Sequence, residues 1–306
     1  MSKYVTVIIP TLAEKTRESQ LKRCIASIRK SSKSEILIIT VVNGNRFDDD
    51  LCHWLQQQPD LVFEYQPTPS LPLAQLRGRQ LVKTPFFSFI DDDDEYLPNA
   101  IDMRLDKLAS NPNLDAVVSN GFLFSDEKDV MLYSGMTDMT HDPLEALFHH
   151  NWLHNCNHLF RSDSIPESFF ADIHPFAEWT WLAYKLILQG KSIAVIDKPT
   201  FRYYDTPNSL SKSDAYTETF HGLYQKMLAL SPPANIADLI RKRISSDWHN
   251  RSDHALQKGD LIKAFKCHWH SLFELGGMQY LSYSRHLVLG LIKALTSRSP
   301  LKKVNE

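Results

Sequence analysis

Four consecutive aspartates, residues 91–94, follow directly on the apolar run of residues 86–90 (FFSFI). A short apolar run without alternation is typical of a strand that is buried on both faces, as in a parallel sheet. Because adjacent carboxylates repel one another more strongly as water is excluded, a folded chain must either keep them solvated or hold them against a cation. The step from apolar run to aspartates therefore restricts the chain to folds in which a buried strand ends at an open edge of a sheet.

Three further apolar runs, residues 4–9, 35–42 and 61–65, are rich in β-branched and aromatic residues and predict strands. Apolar residues spaced three and four apart within residues 21–28 predict a helix with one buried face, and residues 73–82 predict a second helix. Since strands and helices alternate, we expect an α/β fold with a mostly parallel, Rossmann-like sheet flanked by helices.

The alternation continues beyond the aspartates. Residues 98–111 predict a helix with a proline at its start, and residues 114–124 predict a strand. Residues 125–175 mix turn residues with aromatic and histidine residues, which is typical of a loop-rich region beside a cleft. Residues 175–190 predict a helix and residues 191–197 a further strand.

A Ser-Pro-Pro segment at residues 231–233 predicts a linker between a larger domain, residues 1–230, and a helical appendage, residues 234–306. Within the appendage, a Gly-Asp turn at residues 259–260 separates two apolar stripes and indicates a helical hairpin. The large apolar residues after this turn are expected to pack inside the appendage: Phe265, Trp269, Leu272 and Phe273.

The composition excludes several classes of protein. With 306 residues, of which 43% are hydrophobic, the chain can bury a substantial core. Its formal net charge of −2 argues against a nucleic-acid partner, which requires a basic surface. The four cysteines have no paired spacing and are expected to be reduced thiols rather than a disulfide framework.

The chain has no apolar leader before its first predicted strand, which favours a cytoplasmic location. Its longest apolar run, residues 286–295, is too short to cross a bilayer. From Arg285 onward basic residues outnumber acidic ones, so this segment could hold the protein at the inner face of an anionic membrane, although an ordinary amphipathic core helix is the simpler interpretation.

Aspartates one residue apart suit a metal site. On an extended or tightly turned backbone, Asp91 and Asp93 can face the same side and offer hard oxygen ligands. Mg²⁺ or Mn²⁺ is the ion that such ligands predict. A solvated acidic turn is the competing interpretation, but the buried strand before the aspartates and the helix after them favour a ligand site.

Three segments in order resemble the family 2 glycosyltransferases of the GT-A fold: residues 5–11 (VTVIIPT), 41–45 (VVNGN) and 89–101 (FIDDDDEYLPNAI). The resemblance covers about residues 3–212. It implies a GT-A domain and metal-dependent, inverting transfer of a sugar from a nucleotide-diphosphate donor to an acceptor hydroxyl. It also implies a glycan or lipid-linked acceptor, in surface-glycan or polysaccharide assembly.

The resemblance assigns roles at the predicted sheet edge. Asp93 is implied as a metal ligand, Asp91 as a residue near both the donor ribose and the metal, and Asp94 as support for the metal shell. Asn43 stands where the family usually has an acidic residue, so a UDP-sugar is favoured only as a first choice of donor. The predicted donor-binding residues are Pro10, Thr11, Asn43, Arg77, Asp91 and Asp92; Arg79 is an alternative to Arg77, and either arginine could equally be an ordinary surface residue.

Residues 176–186 (FAEWTWLAYKL) resemble the acidic helix start of the family, and this resemblance implies Glu178 as the catalytic base. Inversion requires one carboxylate that accepts the proton of the acceptor hydroxyl. Phe176, Trp179 and Trp181 would partly desolvate this carboxylate and offer flat faces to a sugar ring. Asp172 is the second choice. The alternative is a first-turn glutamate that only complements the helix dipole.

A group of histidines precedes this helix and lines the predicted acceptor pocket, which includes His158, Trp179 and Trp181. Zinc is an unfavoured alternative for His149, His150, His154, Cys156 and His158, because their spacing matches no closed zinc site. The family sometimes has a metal-binding histidine after the last core strand, where this chain has only Asp205 as a candidate.

The sequence is also compatible with two other functions. A binding protein of the same fold could keep the acidic strand end without needing a base opposite it. A nucleotidyltransferase also uses carboxylates and Mg²⁺, but it releases pyrophosphate rather than a nucleoside diphosphate.

Overall fold

The computed structural model describes residues 4–205 and 214–297. The chain divides into two compact units, Met1–Tyr216 and Thr217–Glu306. The predicted domain boundary at residues 231–233 stays a prediction.

The first unit is built on one nine-stranded sheet with the order β3-β2-β1-β4-β8-β6-β9-β5, and β7 pairs with β6 outside this path. Strands β1, β2, β3, β4, β6 and β9 run in one direction, and β5, β7 and β8 run against them. This arrangement confirms the predicted mostly parallel sheet. The strands are β1 Val5–Thr11, β2 Ile36–Asn43, β3 Leu61–Gln66, β4 Phe86–Phe89, β5 Glu95–Tyr96, β6 Ala116–Ser125, β7 Lys128–Met131, β8 His158–Arg161 and β9 Ile193–Tyr204.

Helices cover the sheet. The buried residues of helix α1 are those of the predicted stripe, Leu21, Cys24, Ile25 and Ile28, together with Ser27. The helices of this unit are α1 Glu18–Lys30, α2 Asp49–Gln56, α3 Leu71–Leu81, α4 Ala100–Ala109, α5 Pro143–Ala146, α6 Ser168–Ala171 and α7 Glu178–Leu188. Because helices shield the sheet, β1 and β4 are buried along their whole length.

The region expected to be loop-rich, residues 125–175, contributes a strand to the middle of the sheet. Strand β8 has only four residues and pairs antiparallel with both β4 and β6. Such a short strand carries too little periodicity to be recognised from sequence, and its two partners, far away in the chain, define it. The result is that the loop before β8 is anchored beside the acidic end of β4.

The second unit is helical, with most of α8 Asp214–Ala229 and all of α9 Ala234–Gln257, α10 Leu261–Phe273 and α11 Ser284–Ser297. The predicted turn is present: Gly259 has a φ of +79°, and the Asp260 side chain caps α10 by accepting from the Lys263 N–H. The expectation for the apolar residues of α10 was wrong, since Phe265, Trp269 and Phe273 are exposed. Their helix instead buries small and polar side chains.

No helix within residues 4–205 and 214–297 has both the length and the apolar composition that crossing a bilayer requires. All four cysteines are buried and free, and they include Cys24, which was predicted to lie on the core face of α1.

Candidate functional site

The four aspartates form a tight turn at the carboxyl end of β4. The Asp94 N–H donates to the Asp91 carbonyl oxygen at 3.2 Å, which closes the turn. The turn brings three carboxylates together, and ligand oxygens of Asp91, Asp93 and Asp94 lie within 4.8 Å of one another. Among the residues that the structure describes, this is the one group of three or more carboxylate, imidazole or thiol side chains with such spacing.

The electrostatics of the turn favour a cation. Burial and the charges of Asp93 and Asp92 raise the pKa of Asp91 to about 8. Burial, with the charges of Asp91 and Asp93, also raises the pKa of Asp94 well above its usual range. One carboxylate oxygen of Asp94, Oδ2, is buried without a hydrogen-bond partner, whereas Oδ1 accepts from the Tyr204 N–H at 3.0 Å. Clustered carboxylates that are costly to ionise, with a free buried oxygen, match the donor set of a hard divalent cation.

Asp92 points into a different network. Asp92 is only 4% exposed, and its carboxylate accepts from the Thr11 hydroxyl at 2.5 Å and from Arg17 Nε at 3.1 Å. Asn43 donates through Nδ2 to the Thr11 carbonyl oxygen at 3.0 Å. The predicted donor-site residues Thr11, Asn43 and Asp92 therefore lie together, at the adjacent carboxyl ends of β1, β2 and β4, and Pro10 is buried directly before Thr11.

Two arginines, Arg17 and Arg23, contact the acidic turn. No pattern in the sequence indicated either of them. Arg17 forms ion pairs with two carboxylates of the turn. Its Nη2 donates to Asp92 Oδ1 and lies 3.1 Å from Asp93 Oδ2. Arg23 donates to the Asp93 carbonyl oxygen at 2.6 Å and stacks its guanidinium 3.9 Å over the Tyr204 ring. Only the parallel pairing of β1 with β4, which places the segment after β1 beside the acidic turn, could have indicated them.

The two arginines predicted as alternatives for the diphosphate have other partners. Arg77 forms an ion pair with Glu64 on β3, with 2.8 Å between Nε and Oε1. Arg79 is buried and donates to the carbonyl oxygens of Ser162 and Ile165, so it anchors the segment after β8. A role for Arg77 at the donor stays a prediction.

Glu178 begins α7, and its carboxylate is coupled to the acidic turn. Its charge contributes to the raised pKa of Asp91, and burial raises the pKa of Glu178 itself. Its Oε1 accepts from the Phe176 N–H at 3.0 Å, and Phe176 has a φ of +66°, which is rare for a bulky residue. This strained turn aims the carboxylate at a cleft that is lined by Gln75, Phe169, Phe170, Asp172, Ile173, Glu178, Trp179, Trp181 and Leu182.

Among the predicted acceptor-pocket residues, both tryptophans line this cleft but His158 does not. Trp181 is almost fully buried, and its Nε1 donates to the Asp172 carbonyl at 3.0 Å. His158 is 0% exposed, accepts from the Phe89 N–H at 3.1 Å through Nε2, and donates through Nδ1 to the His154 carbonyl at 2.7 Å. Its ring lies 4.8 Å from that of Trp179, so His158 supports the pocket wall from behind.

The other predicted ligand candidates are dispersed. His149 and His150 are exposed. Cys156 is buried near Asp94, and burial together with the charge of Asp94 raises the pKa of its thiol. Asp205 is exposed, and its N–H donates to the Phe124 carbonyl at 3.3 Å. Residues 206–211, the rest of the segment in which a further metal ligand was predicted, lie outside the described residues.

Buried His158 and half-buried His154 predict acid sensitivity. Burial lowers the pKa of His158 to about 3 and that of His154 to about 4, against about 6.5 in an unfolded chain. Since the unfolded state then binds the extra protons, each histidine lowers stability by about 1.4 kcal/mol per pH unit as the pH falls from about 6 toward its folded pKa. Replacing His158 with glutamine removes one of these titrating groups. The free energy of unfolding, measured by urea titration at several pH values, should therefore fall less steeply with decreasing pH in the variant than in the parent.

The matched control for this measurement is His149→Gln, at an exposed position. Parallel pH dependences of stability for the parent and His158→Gln would show that the ring is not buried in its neutral form.

Known proteins resemble this chain in sequence. The family model for glycosyl transferase family 2 matches residues 6–177. Two curated proteins, uncharacterized glycosyltransferases of Rickettsia prowazekii and Rickettsia typhi, are each 26% identical over 182 residues, which cover 58% of this chain and 54% of the relative. The chain therefore spans about half the length of the curated relatives it matches.

Solved structures resemble it in fold. The crystal structure of S. aureus TarS 1–349 in complex with UDP-GlcNAc has a TM-score of 0.64 at 13% identity and covers 88% of this chain and 80% of the TarS chain. The complex of the same protein with UDP has a TM-score of 0.56 at 15% identity, over 85% of this chain and 75% of the other. The sheet, its acidic edge and the extent of the family match lead to one assignment: the protein belongs to glycosyl transferase family 2 and has the GT-A fold.

Proposed function

We propose that this protein is a glycosyltransferase that transfers a sugar from a nucleotide-diphosphate donor to an acceptor hydroxyl, with inversion at the anomeric carbon. The observation that carries the proposal is the cluster of Asp91, Asp93 and Asp94 at the carboxyl end of β4, with the Glu178 carboxylate close enough to influence it. Family membership supports the same activity. Because TarS binds UDP and UDP-GlcNAc, a UDP-sugar is the first donor to test.

The residues present fit a divalent cation, Mg²⁺ or Mn²⁺. Asp91 and Asp93 would hold it, and the free buried oxygen of Asp94 would support it. When bound, such an ion neutralises the negative charge of a departing diphosphate. Asp92 takes a different part, since its hydrogen bonds to Thr11 and Arg17 hold the donor edge together.

Each of the remaining site residues has a chemical task. Glu178 accepts the proton of the acceptor hydroxyl, and its raised pKa makes it a stronger base than an exposed glutamate. Trp179, which is partly exposed, borders the cleft in front of it and provides an apolar face on which a sugar ring can stack, whereas the buried Trp181 forms the wall behind. Thr11 and Asn43, at the ends of β1 and β2, border the nucleoside.

The wider setting is proposed on the family alone. A glycan or lipid-linked acceptor and a part in surface-glycan or polysaccharide assembly stay predictions. Of the alternatives, an inactive binding protein would leave the desolvated Glu178 without a task. A nucleotidyltransferase is distinguished by its product, pyrophosphate.

Thermal shift with nucleotide sugars tests the donor and metal together. We expect a UDP-sugar with Mn²⁺ to stabilise the folded state by about 3 kcal/mol when its concentration is about a hundred times its Kd. For a domain of this size, that raises Tm by roughly 6–12 °C. Mn²⁺ alone should give a smaller shift, and the nucleotide sugar alone should give little.

The control is Asp106→Asn, an exposed aspartate on α4, which should respond as the parent does. A nucleotide response that is independent of metal would contradict the assigned cation site. Release of pyrophosphate rather than a nucleoside diphosphate during turnover would contradict the proposed reaction.

A further inference from the structure

Helix α10 exposes its large apolar side chains. Ile262, Phe265, Trp269 and Phe273 follow one another at intervals of three, four and four residues, so they form one stripe along the helix. Ile262 is 85%, Trp269 63% and Phe273 72% exposed. These four residues form the α10 stripe.

The opposite face of α10 is the one that packs within the helical unit, and it carries small or polar residues. Ala264 and Ser271 are fully buried, and Cys267 and His268 nearly so. Ser271 donates within the helix to the His268 carbonyl at 2.8 Å, and its own carbonyl accepts from Ser245 at 2.9 Å. The helix is thus already anchored without its stripe, so packing among the described residues of the helical unit gives no reason for these large side chains.

An exposed stripe of this kind normally marks an interaction surface, because leaving aromatic and branched side chains in water is unfavourable at about 25 cal/mol per Å² of apolar area. Neighbouring helix α11 adds exposed apolar residues of its own. These are Val288, Leu289, Leu291, Ile292 and Leu295.

The charge of this surface indicates which partner fits it. Lys263 and Lys266 are exposed on α10 beside the stripe, and α10 and α11 contain no acidic residue. Across residues 261–297, Glu274 is the sole acidic residue against four lysines or arginines: Lys263, Lys266, Arg285 and Lys293. Pairing of two copies of this face would oppose like charges, whereas an anionic lipid surface would complement them.

We propose that the α10 stripe docks on the surface of an anionic membrane. The helix lies in the plane of the interface, with Ile262, Trp269 and Phe273 inserted at the level of the headgroups and with Lys263 and Lys266 against lipid phosphates. Tryptophan suits this position because its ring is apolar while its N–H remains hydrogen-bonded at the wet boundary. This inference rests on the surface of the helical unit and is independent of the proposed transferase activity.

Vesicle co-sedimentation of the full chain tests the inference. The parent should bind vesicles of phosphatidylcholine with about one third phosphatidylglycerol more tightly than pure phosphatidylcholine vesicles, and high salt should weaken the binding. Trp269→Ser combined with Phe273→Ser should weaken binding at least about ten-fold through the lost apolar insertion. Lys263→Gln combined with Lys266→Gln should weaken binding to the anionic vesicles about ten-fold or more and leave binding to neutral vesicles unchanged.

The matched control is Val130→Ser, an exposed apolar residue on β7 that should bind as the parent does. Circular dichroism melting should show that the stripe variants remain folded, since the altered side chains are exposed. Sedimentation velocity measures self-association in the same samples. The inference fails if the parent ignores anionic vesicles, if the Trp269/Phe273 variant binds them as the parent does, or if the stripe substitutions dissolve a dimer instead.

Discussion

Replacing Asp91 with asparagine is expected to raise the stability of the metal-free protein while reducing transfer by about a hundredfold or more. The two effects have one cause. The folded protein raises the pKa of Asp91 to about 8, against about 4 in an unfolded chain, so the metal-free protein loses stability as the pH rises from about 4 to about 8. Asparagine cannot ionise and avoids this loss, but it is a poorer ligand for a divalent cation.

The stability gain should be up to about 4 kcal/mol at neutral pH, or roughly 8–16 °C in Tm, and it should shrink toward pH 4. Differential scanning calorimetry in a chelating buffer measures it, and the release of nucleoside diphosphate measures transfer. Asp106→Asn is the control and should change neither quantity. A variant that is less stable than the parent across this pH range, yet fully active, would show that Asp91 serves the fold and not a cation.

Replacing Glu178 with glutamine is expected to lower kcat by a factor of about a hundred to ten thousand and to leave donor binding unchanged. The amide oxygen of glutamine can still accept from the Phe176 N–H, so the turn before α7 should keep its shape. The amide cannot accept the proton of an acceptor hydroxyl. The decisive measurement is kcat alongside the Kd of the donor that the thermal-shift screen identifies.

The pH profile gives a second readout. Because burial raises the pKa of Glu178 and the base acts in its deprotonated form, the rate of the parent should increase as the pH rises through that raised pKa. Asp172→Asn is the matched variant, since Asp172 lines the same cleft but bonds Trp181 through its side chain. Full activity of Glu178→Gln together with an inactive Asp172→Asn would transfer the role of base to Asp172.

The sheet and its acidic edge were predictable because their signals are local. Apolar runs report the strands, and the placement of four aspartates after one of them reports the strand end. Glu178 could be selected because its segment resembles the acidic helix start of the family and because its aromatic neighbours are adjacent in the chain. Its coupling to Asp91, across 87 positions of sequence, could not be anticipated from residue spacing.

Other features depended on contacts between distant segments. Arg17 is 75 positions from Asp92, and the parallel pairing of β1 with β4 alone brings them together. His158 looked like a pocket residue, but the packing of β8 between two strands turned both of its ring nitrogens to the backbone. The apolar stripe of α10 has the same periodicity whether it faces a core or water.

Residue order alone thus established the fold class and the location of the acidic site, since hydrophobic period and charge are properties of neighbouring residues. Tertiary structure decided which of those charges are paired, which are buried without a partner, and which helix face stays exposed. Burial and pairing depend on all the neighbours that surround a side chain in the folded protein. Many of those neighbours come from distant parts of the chain, so local sequence patterns do not identify them.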